Sequence, residues 1–368
     1  MSKLDKLTIH GFKSIEKLDD FNLDDLNVLI GANGAGKSNF VDFFRMLRAM
    51  VKRRFQLYVN RNGPADGFFF NGVSVTKLIG ADLFFGHNRY AFSLEPTADG
   101  KILIAQEHTQ FTPKGGLRQI AAGNMESALS IRRDQPDLFG GPHEQDFDVS
   151  DSISSWEVYH FHDTSLTAGM RRDVGVEQSA ALRPDASNLA AFLLRLRDEH
   201  GERYQLLRKT LQRIAPYFDD FELRVTKAQP QDTVRLTWRR KGSDYVFSPG
   251  HLSDGTIRFL CMASVFLQPA PPATIVLDEP ELGLHPEALA VLGALIRSAS
   301  TRMQIVLATQ SPVLLNEFEP GQIITVDEVN GASRFNRLDA AALTDWLEDF
   351  TVGDLWQKGT IKGGVNHA

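Results

Sequence analysis

Eight residues near the start of the chain, Gly31-Ala32-Asn33-Gly34-Ala35-Gly36-Lys37-Ser38, fit the pattern G-x-x-x-x-G-K-[ST] and restrict the fold more than any other segment. The apolar run Leu26-Asn27-Val28-Leu29-Ile30 before them reads as a short buried strand. After them Phe40, Phe43, Phe44 and Leu47 recur at helical spacing, so a helix with one inward face follows. Strand, glycine turn and helix are the context in which this pattern works. Glycines 31, 34 and 36 let successive backbone N–H groups and the helix N-terminus face phosphate oxygens. Lys37 adds a point charge for the β- and γ-phosphates, and Ser38 offers a hydroxyl to Mg²⁺.

A phosphate loop of this kind calls for an acidic strand beside it in a layered α/β core, because ligands there lie off the carboxyl ends of the strands. Thr274-Ile275-Val276-Leu277-Asp278-Glu279 supplies one. Asp278 is expected in the Mg²⁺ shell, and Glu279 is placed to orient or deprotonate an attacking water. The second half of the chain alternates strands and helices, with helices from Ser253 and Pro286 and strands at 273–277 and 304–308, the pattern of a mainly parallel sheet.

Elsewhere the periodicity is different. Residues 4–15 read as a strand broken by Gly11, and 73–111 as an antiparallel meander of short strands. Residues 112–152, rich in Gly, Pro, Asp and Gln, read as a surface loop or insertion. A strand resumes at 156–161. A helix follows with Asn188 as its cap and Leu189, Phe192, Leu193 and Leu196 on one face, then a second helix over 202–214 and strands at 221–226 and 233–238.

Two further segments narrow the class. His251-Leu252-Ser253-Asp254-Gly255-Thr256 opens a helix 25 positions before Asp278, and Pro280-Glu281-Leu282-Gly283-Leu284-His285-Pro286 and Ala308-Thr309-Gln310-Ser311-Pro312 follow the carboxylates. The order of phosphate loop, signature, Asp-Glu, Leu-His-Pro and Thr-Gln-Ser-Pro resembles the RecF/SMC-like branch of ABC-type ATPases. The opening Ile9-His10-Gly11-Phe12-Lys13-Ser14-Ile15 is similar to that branch's first strand. The motifs lie within 4–50 and 248–315.

The resemblance implies an α/β fold, an ABC-ATPase head with a mixed, β-rich first lobe, a mainly parallel sheet core and a short helical insertion. The expected division is a first lobe over 1–165, an insertion over 166–250, a second lobe over 251–345 and a tail over 346–368. It implies ATP and Mg²⁺ as cofactors, held by Asn33, Gly34, Ala35, Gly36, Lys37, Ser38 and Asn39, with Ser38 and Asp278 on the metal and Glu279, Lys37 and Gln310 in the catalytic set. It further implies a homodimer that sandwiches two ATP molecules, Ser253 and Gly255 of each subunit reaching the γ-phosphate on the other.

The chain departs from the wider pattern at two positions. Asp254 stands where transporter signatures carry glycine, and an acid there repels a triphosphate unless it points to a helix N-terminus or a cation. Gln310 replaces the switch histidine and cannot titrate near neutrality, which predicts slow hydrolysis with ATP-driven dimerisation as the main output.

Charge and composition limit the partners. Lys and Arg total 40 against 46 Asp and Glu, a net charge of −6, so the surface as a whole does not attract nucleic acid. A local excess lies on the middle helices, where Arg195, Arg197, Arg203, Arg208, Lys209 and Arg213 outnumber the acids; it reads either as a DNA-phosphate patch over 195–213 or as a solvated face. His160, His162 and Asp163 read as a metal set or as a solvated strand end; alternation along a strand lets only the two histidines share a face. The sensing glutamine that such heads place after a strand beside the nucleotide has no clear match; the candidate for its position is Phe161-His162-Asp163-Thr164-Ser165, which follows a core-like strand. The single cysteine, Cys261, lies on a core-facing helix, no apolar stretch spans a bilayer, and no signal-peptide core opens the chain, which predicts a cytoplasmic protein without membrane contact.

The expected function is an ATP-hydrolysing, dimerising switch in DNA maintenance or anti-phage defence that works with a separate nuclease or toxin effector. The alternative is an ATP-binding scaffold that holds and releases such a partner with little turnover. A transport ATPase ranks third, because Lys37 and Asp278 are 241 positions apart.

Overall fold

The computed structural model describes residues 3–111, 115–129, 144–227 and 229–361, with side chains left out over 144–147. Strands β1 (Lys6–Phe12) and β2 (Ile15–Asn22) form a hairpin, and β3 (Leu26–Ile30) then enters a separate sheet. The phosphate loop follows, with α1 (Lys37–Val51) and α2 (Phe55–Asn62). Next come β4 (Ile79–Phe85), β5 (Asn88–Pro96), β6 (Ile102–Phe111) and β7 (Arg118–Asn124), which join β1 and β2 in a six-stranded antiparallel sheet ordered β2-β1-β4-β5-β6-β7. In β4 buried residues alternate with half-exposed ones, as in a sheet packed on one face.

The stretch 112–152, expected as irregular loop, therefore contains β7 and most of α3 (Glu144–Ser155), while 130–143 falls outside the described residues. After α3, β8 (Glu157–Tyr159) joins the second large sheet. Residues 166–250 hold α4 (Leu189–Glu199), α5 (Gly201–Ile214) and the short strands β9 (Val174–Gly175), β10 (Phe218–Phe221), β11 (Val225–Thr226), β12 (Thr233–Val234), β13 (Trp238–Arg240) and β14 (Val246–Phe247), paired as two three-stranded sheets. Asn188 precedes α4 without capping it. Its amide donates to the carbonyls of Gln178 and Ala181, and its oxygen accepts from the Arg183 N–H, so it ties down the loop before the helix instead.

The chain then forms α6 (Asp254–Leu267), β15 (Thr274–Asp278), α7 (Pro286–Ser300), β16 (Gln304–Thr309), the single turn α8 (Pro312–Leu315), β17 (Ile323–Val329) and β18 (Ala332–Arg337). The core sheet is ordered β18-β17-β3-β16-β15-β8 and is parallel except for β18. Its central strands β3 and β16 are buried at every residue, as strands covered on both faces must be. The period of two sorts them: Val28, Ile30, Ile305 and Leu307 pack under α4, α6 and α7, whereas Leu29, Val306 and Ala308 pack against α1 and the antiparallel sheet. Residues from both sides of the expected 165/251 division thus share one sheet.

Cys261 is fully buried and its thiol is pushed well up by burial. In the tail, Val352 and Leu355 are buried, and the Gly353 N–H donates to Asn316 Oδ1 at 2.7 Å, docking this helical turn beside α8. Among the described residues no helix is long and apolar enough to cross a membrane.

Candidate nucleotide site

The loop between β3 and α1 is held from behind. At Gly36, where φ is +109°, an added Cβ would lie 1.9 Å from Ser333 Oγ and 2.6 Å from Ser14 Oγ, so only glycine fits. Ser333 Oγ donates to the Ala35 carbonyl at 2.6 Å and lies 2.7 Å from Ser14 Oγ, which also accepts from the Asn39 amide at 2.7 Å. The β1–β2 turn and β18 thereby fix the loop's shape. Of the residues expected around phosphate, Asn33, Gly34 and Ser38 are exposed, Ala35 and Gly36 are buried, and Asn39 spends its amide on Ser14. No acid occupies the first turn of α1, which leaves its N-terminal dipole free for an anion.

Lys37 is buried, and its ammonium donates to the carbonyls of Gly31 at 2.7 Å and Ala32 at 3.0 Å. Burial lowers its pKa, opposed by the charges of Glu279, Asp278 and Glu281. β15 delivers these carboxylates because it runs parallel to β16 and ends level with it. Asp278 is pushed up by burial, against a hydrogen bond from Ser38, and its Oδ1 has no hydrogen-bond partner. An orphaned carboxylate oxygen beside a serine hydroxyl is the donor set that Mg²⁺ takes when phosphate oxygens complete its shell. Ser38 and Asp278 fit that ion.

Glu279 follows in the left-handed region at φ +48°, a conformation uncommon outside glycine and held by its N–H donating to the Ala308 carbonyl at 2.8 Å. Its Oε1 accepts from Gln310 Nε2. The backbone N–H of Gln310 donates to Glu281 Oε1 at 2.7 Å, while Glu281 Oε2 is buried without a partner and burial raises the carboxyl. Gln310 therefore ties both acids to the end of β16. The role of Glu281 escaped the sequence reading; its position two residues beyond Glu279 on the same loop was the available signal.

An ionised Asp278 opposes folding, since burial holds its folded pKa above the unfolded one. Stability rises as pH falls from neutrality through that raised pKa, and the penalty is fully present above it. Asp278→Asn should therefore raise the melting temperature of the protein without Mg²⁺ by about 2 °C and flatten this pH dependence, while removing the stabilisation that Mg²⁺ adds to bound ATP. Differential scanning fluorimetry with and without EDTA checks this; a lower melting temperature than wild type would contradict it.

The signature segment lies in a different cleft, shared with Tyr217, Gly283 and His285. Ser253 caps α6, its Oγ accepting from the Thr256 N–H at 3.2 Å. Asp254 meets a cation: its carboxylate lies 2.9 Å from Arg171, whose nearly buried guanidinium also donates to the carbonyls of Thr164, Pro249 and Leu252. The charge that a triphosphate would meet is thus offset. Gly255 has a Cβ position only 2.6 Å from the Gly283 carbonyl, and Arg258 on the same helix donates to the carbonyls of Phe161, His162 and Leu282. The signature helix is in this way bolted to the loop after the acidic pair and to the end of β8.

The weaker candidates separate. The rings of His160 and His162 are 6.3 Å apart, and Asp163 accepts from the Ser165 N–H at 3.0 Å, which closes a turn; among the described residues no metal-holding group of three or more His, Cys, Asp or Glu forms. On the middle helices, Arg195 pairs with Glu199 at 2.7 Å and Arg208 with Asp219 at 3.0 Å, so these two spend their charge within the chain, while Lys209 and Arg213 are exposed.

Comparison with known proteins agrees with this architecture. The chain is similar to the Smc head in the crystal structure of the SmcHead bound to the C-winged helix domain of ScpA, with TM-score 0.59 and 15% identity over 93% of this chain and 99% of that one. It is also similar to the Smc head domain with an extended coiled coil bound to the C-terminal domain of ScpA from Pyrococcus furiosus, with TM-score 0.57 and 16% identity over 95% and 99%. At this identity the likeness shows the fold, that of an Smc head domain. No curated protein sequence matches. A family profile described as "AAA domain, putative AbiEii toxin, Type IV TA system" matches residues 26–96 and 131–316. That match takes in the phosphate loop, the signature, the acidic pair and Gln310 and covers well over half of the sequence, and the chain belongs to this family of AAA domains.

Proposed function

We propose that the protein is an ATP-driven dimerising switch. It binds ATP with Mg²⁺ on the phosphate loop, uses Glu279 to orient or deprotonate water, and closes on a second copy through Ser253 and Gly255. Mg²⁺ neutralises charge on the β- and γ-phosphates when bound. Lys37 carries the remaining charge, Gln310 holds Glu279 in place, and Glu281 in turn holds Gln310. The observation that carries this reading is the convergence of Lys37, Asp278, Glu279 and Glu281 on one another, with an unpartnered Asp278 oxygen beside Ser38. Phosphate release by purified protein given ATP and Mg²⁺, together with sedimentation with and without ATP, tests it.

A partner protein is part of the proposal. The family description names a toxin of a type IV toxin–antitoxin system, and two similar Smc heads were solved with a domain of ScpA, which supports work with a separate effector in anti-phage defence or DNA maintenance in the cytoplasm. A second reading is the scaffold with little turnover, in which Gln310, unlike a titrating histidine, supplies no proton to the reaction.

Of Arg195, Arg208, Lys209 and Arg213, the residues expected to meet DNA on the middle helices, Arg195 and Arg208 are paired within the chain, so direct contact made there falls first to Lys209 and Arg213. Reversing Lys209 and Arg213 to Glu should then weaken binding about 10-fold across all sequences alike and reduce its salt dependence. Unchanged, salt-sensitive binding would assign that face to solvent alone.

A further inference from the structure

A second concentration of positive charge lies at the far end of the phosphate-loop helix. Arg45 and Arg48 on α1 and Lys52, its C-cap, recur at i, i+3 and i+7, so they form one stripe. The chain then turns at Arg53, which sits in the left-handed region at φ +53°, and Arg54, the N-cap of α2, recurs with Tyr58 and Arg61 of α2 at i, i+4 and i+7. The turn folds the second stripe toward the first, and all five cations line a single cleft of about 400 Å³ with Leu57 and Tyr58 as its apolar wall.

Among the described residues, few carboxylates pair with these cations. Arg45 contacts Asp42 at 2.6 Å, but Asp42 also holds Lys13. Arg48 and Lys52 share the one carboxylate of Glu157, Lys52 at 3.9 Å. Arg54 and Arg61 are exposed, and the buried Nε of Arg48 has no hydrogen-bond partner. Among the described residues, the ion pairs of these five cations therefore rest on Asp42 and Glu157, and Asp42 is divided further with Lys13. Holding like charges together at this density opposes folding unless an anion relieves it.

We infer that this cleft binds a small, multiply charged phosphate compound of about nucleotide size. The volume falls within the range of small-ligand sites, and the walls combine an aromatic ring with guanidinium forks suited to phosphate oxygens. The concave shape favours such a ligand over a duplex, whose phosphates follow an extended convex track. Burial and the neighbouring guanidiniums of Arg48 and Arg54 lower the Lys52 ammonium, the setting in which an added anion has most to offer. The site is distinct from the phosphate loop, whose residues do not line it, yet Arg45 sits on the helix that begins with Lys37 and its charge acts on Asp278. Occupancy would reach the nucleotide site through that rigid helix.

The test uses the full chain saturated with a non-hydrolysable ATP analogue and Mg²⁺, titrated calorimetrically with inorganic tripolyphosphate. One further equivalent should bind, with affinity falling as salt rises. Arg54→Glu with Arg61→Glu should weaken it at least about 10-fold and the milder Arg54→Gln with Arg61→Gln by less, both leaving analogue binding unchanged. The same titration of Lys37→Ala protein separates the two sites: analogue binding should be lost while the tripolyphosphate equivalent remains, and analogue binding that survives would count against the proposed function, not against the cleft. Absence of the further equivalent, or one that survives both double variants, overturns the inference. So does a short oligothymidylate that binds this cleft where tripolyphosphate does not, which would make it a nucleic-acid surface.

Discussion

Glu279→Gln should bind ATP as the wild type does and release phosphate roughly 10²-fold or more slowly, the usual scale for losing a general base. The substitution is isosteric, and its Oε1 can still accept the hydrogen bond from Gln310, so the loop geometry should survive. The left-handed backbone at Glu279 is set by the bond from its N–H to the Ala308 carbonyl, which the side chain does not touch. What disappears is the capacity to take a proton from water. ATP trapped in this way should favour the dimer, so sedimentation should show a larger associated fraction for the variant than for wild type at equal ATP. Single-turnover phosphate release decides the chemistry: release at the wild-type rate would remove Glu279 from the mechanism. Equal and negligible release from both proteins would instead support the scaffold.

The parts of this site that the sequence discloses are those in which chemistry and spacing are local. Gly36, Lys37 and Ser38 are adjacent, and Asp278 and Glu279 end one apolar run. The parts that stay hidden are those in which distant segments meet. Ser333 braces the loop from a strand some 300 residues away, and Arg171 answers the charge of Asp254 across 83 positions. No periodicity reports such pairs. Asn188 shows the reverse error, since local pattern makes it a helix cap while its amide is claimed by the carbonyls of the preceding loop. The hairpin of β17 and β18 is legible in its turn. Asn330 and Gly331, both at positive φ, form the two-residue turn such a pair requires, between Ile323-Ile324-Thr325-Val326 and Phe335. The middle-helix charge shows the same limit: the sequence counts cations along a helix, while the structure shows Arg195 paired with Glu199 and Arg208 with Asp219.

Ser253→Arg should abolish ATP-induced association while leaving nucleotide binding by the single subunit intact. Within its own chain Ser253 is exposed and serves only as the cap of α6, so its replacement should cost about 1 kcal/mol of stability. The start of the helix keeps its other anchors, the ion pair of Asp254 with Arg171 and the Arg258 contacts to Phe161, His162 and Leu282. Lys37, Asp278 and Glu279 lie outside the cleft of Ser253, which is why binding and association should separate in this variant. A bulky side chain at 253 would collide with the apposed phosphate loop in an ATP sandwich, a steric effect that the charge attraction of Arg for phosphate does not remove. Small-angle scattering with and without ATP reads the result, with a thermal melt to show that the variant is folded. A folded variant that dimerises with ATP as wild type does would return Ser253 to the role of a helix cap and place the dimer contact on another face.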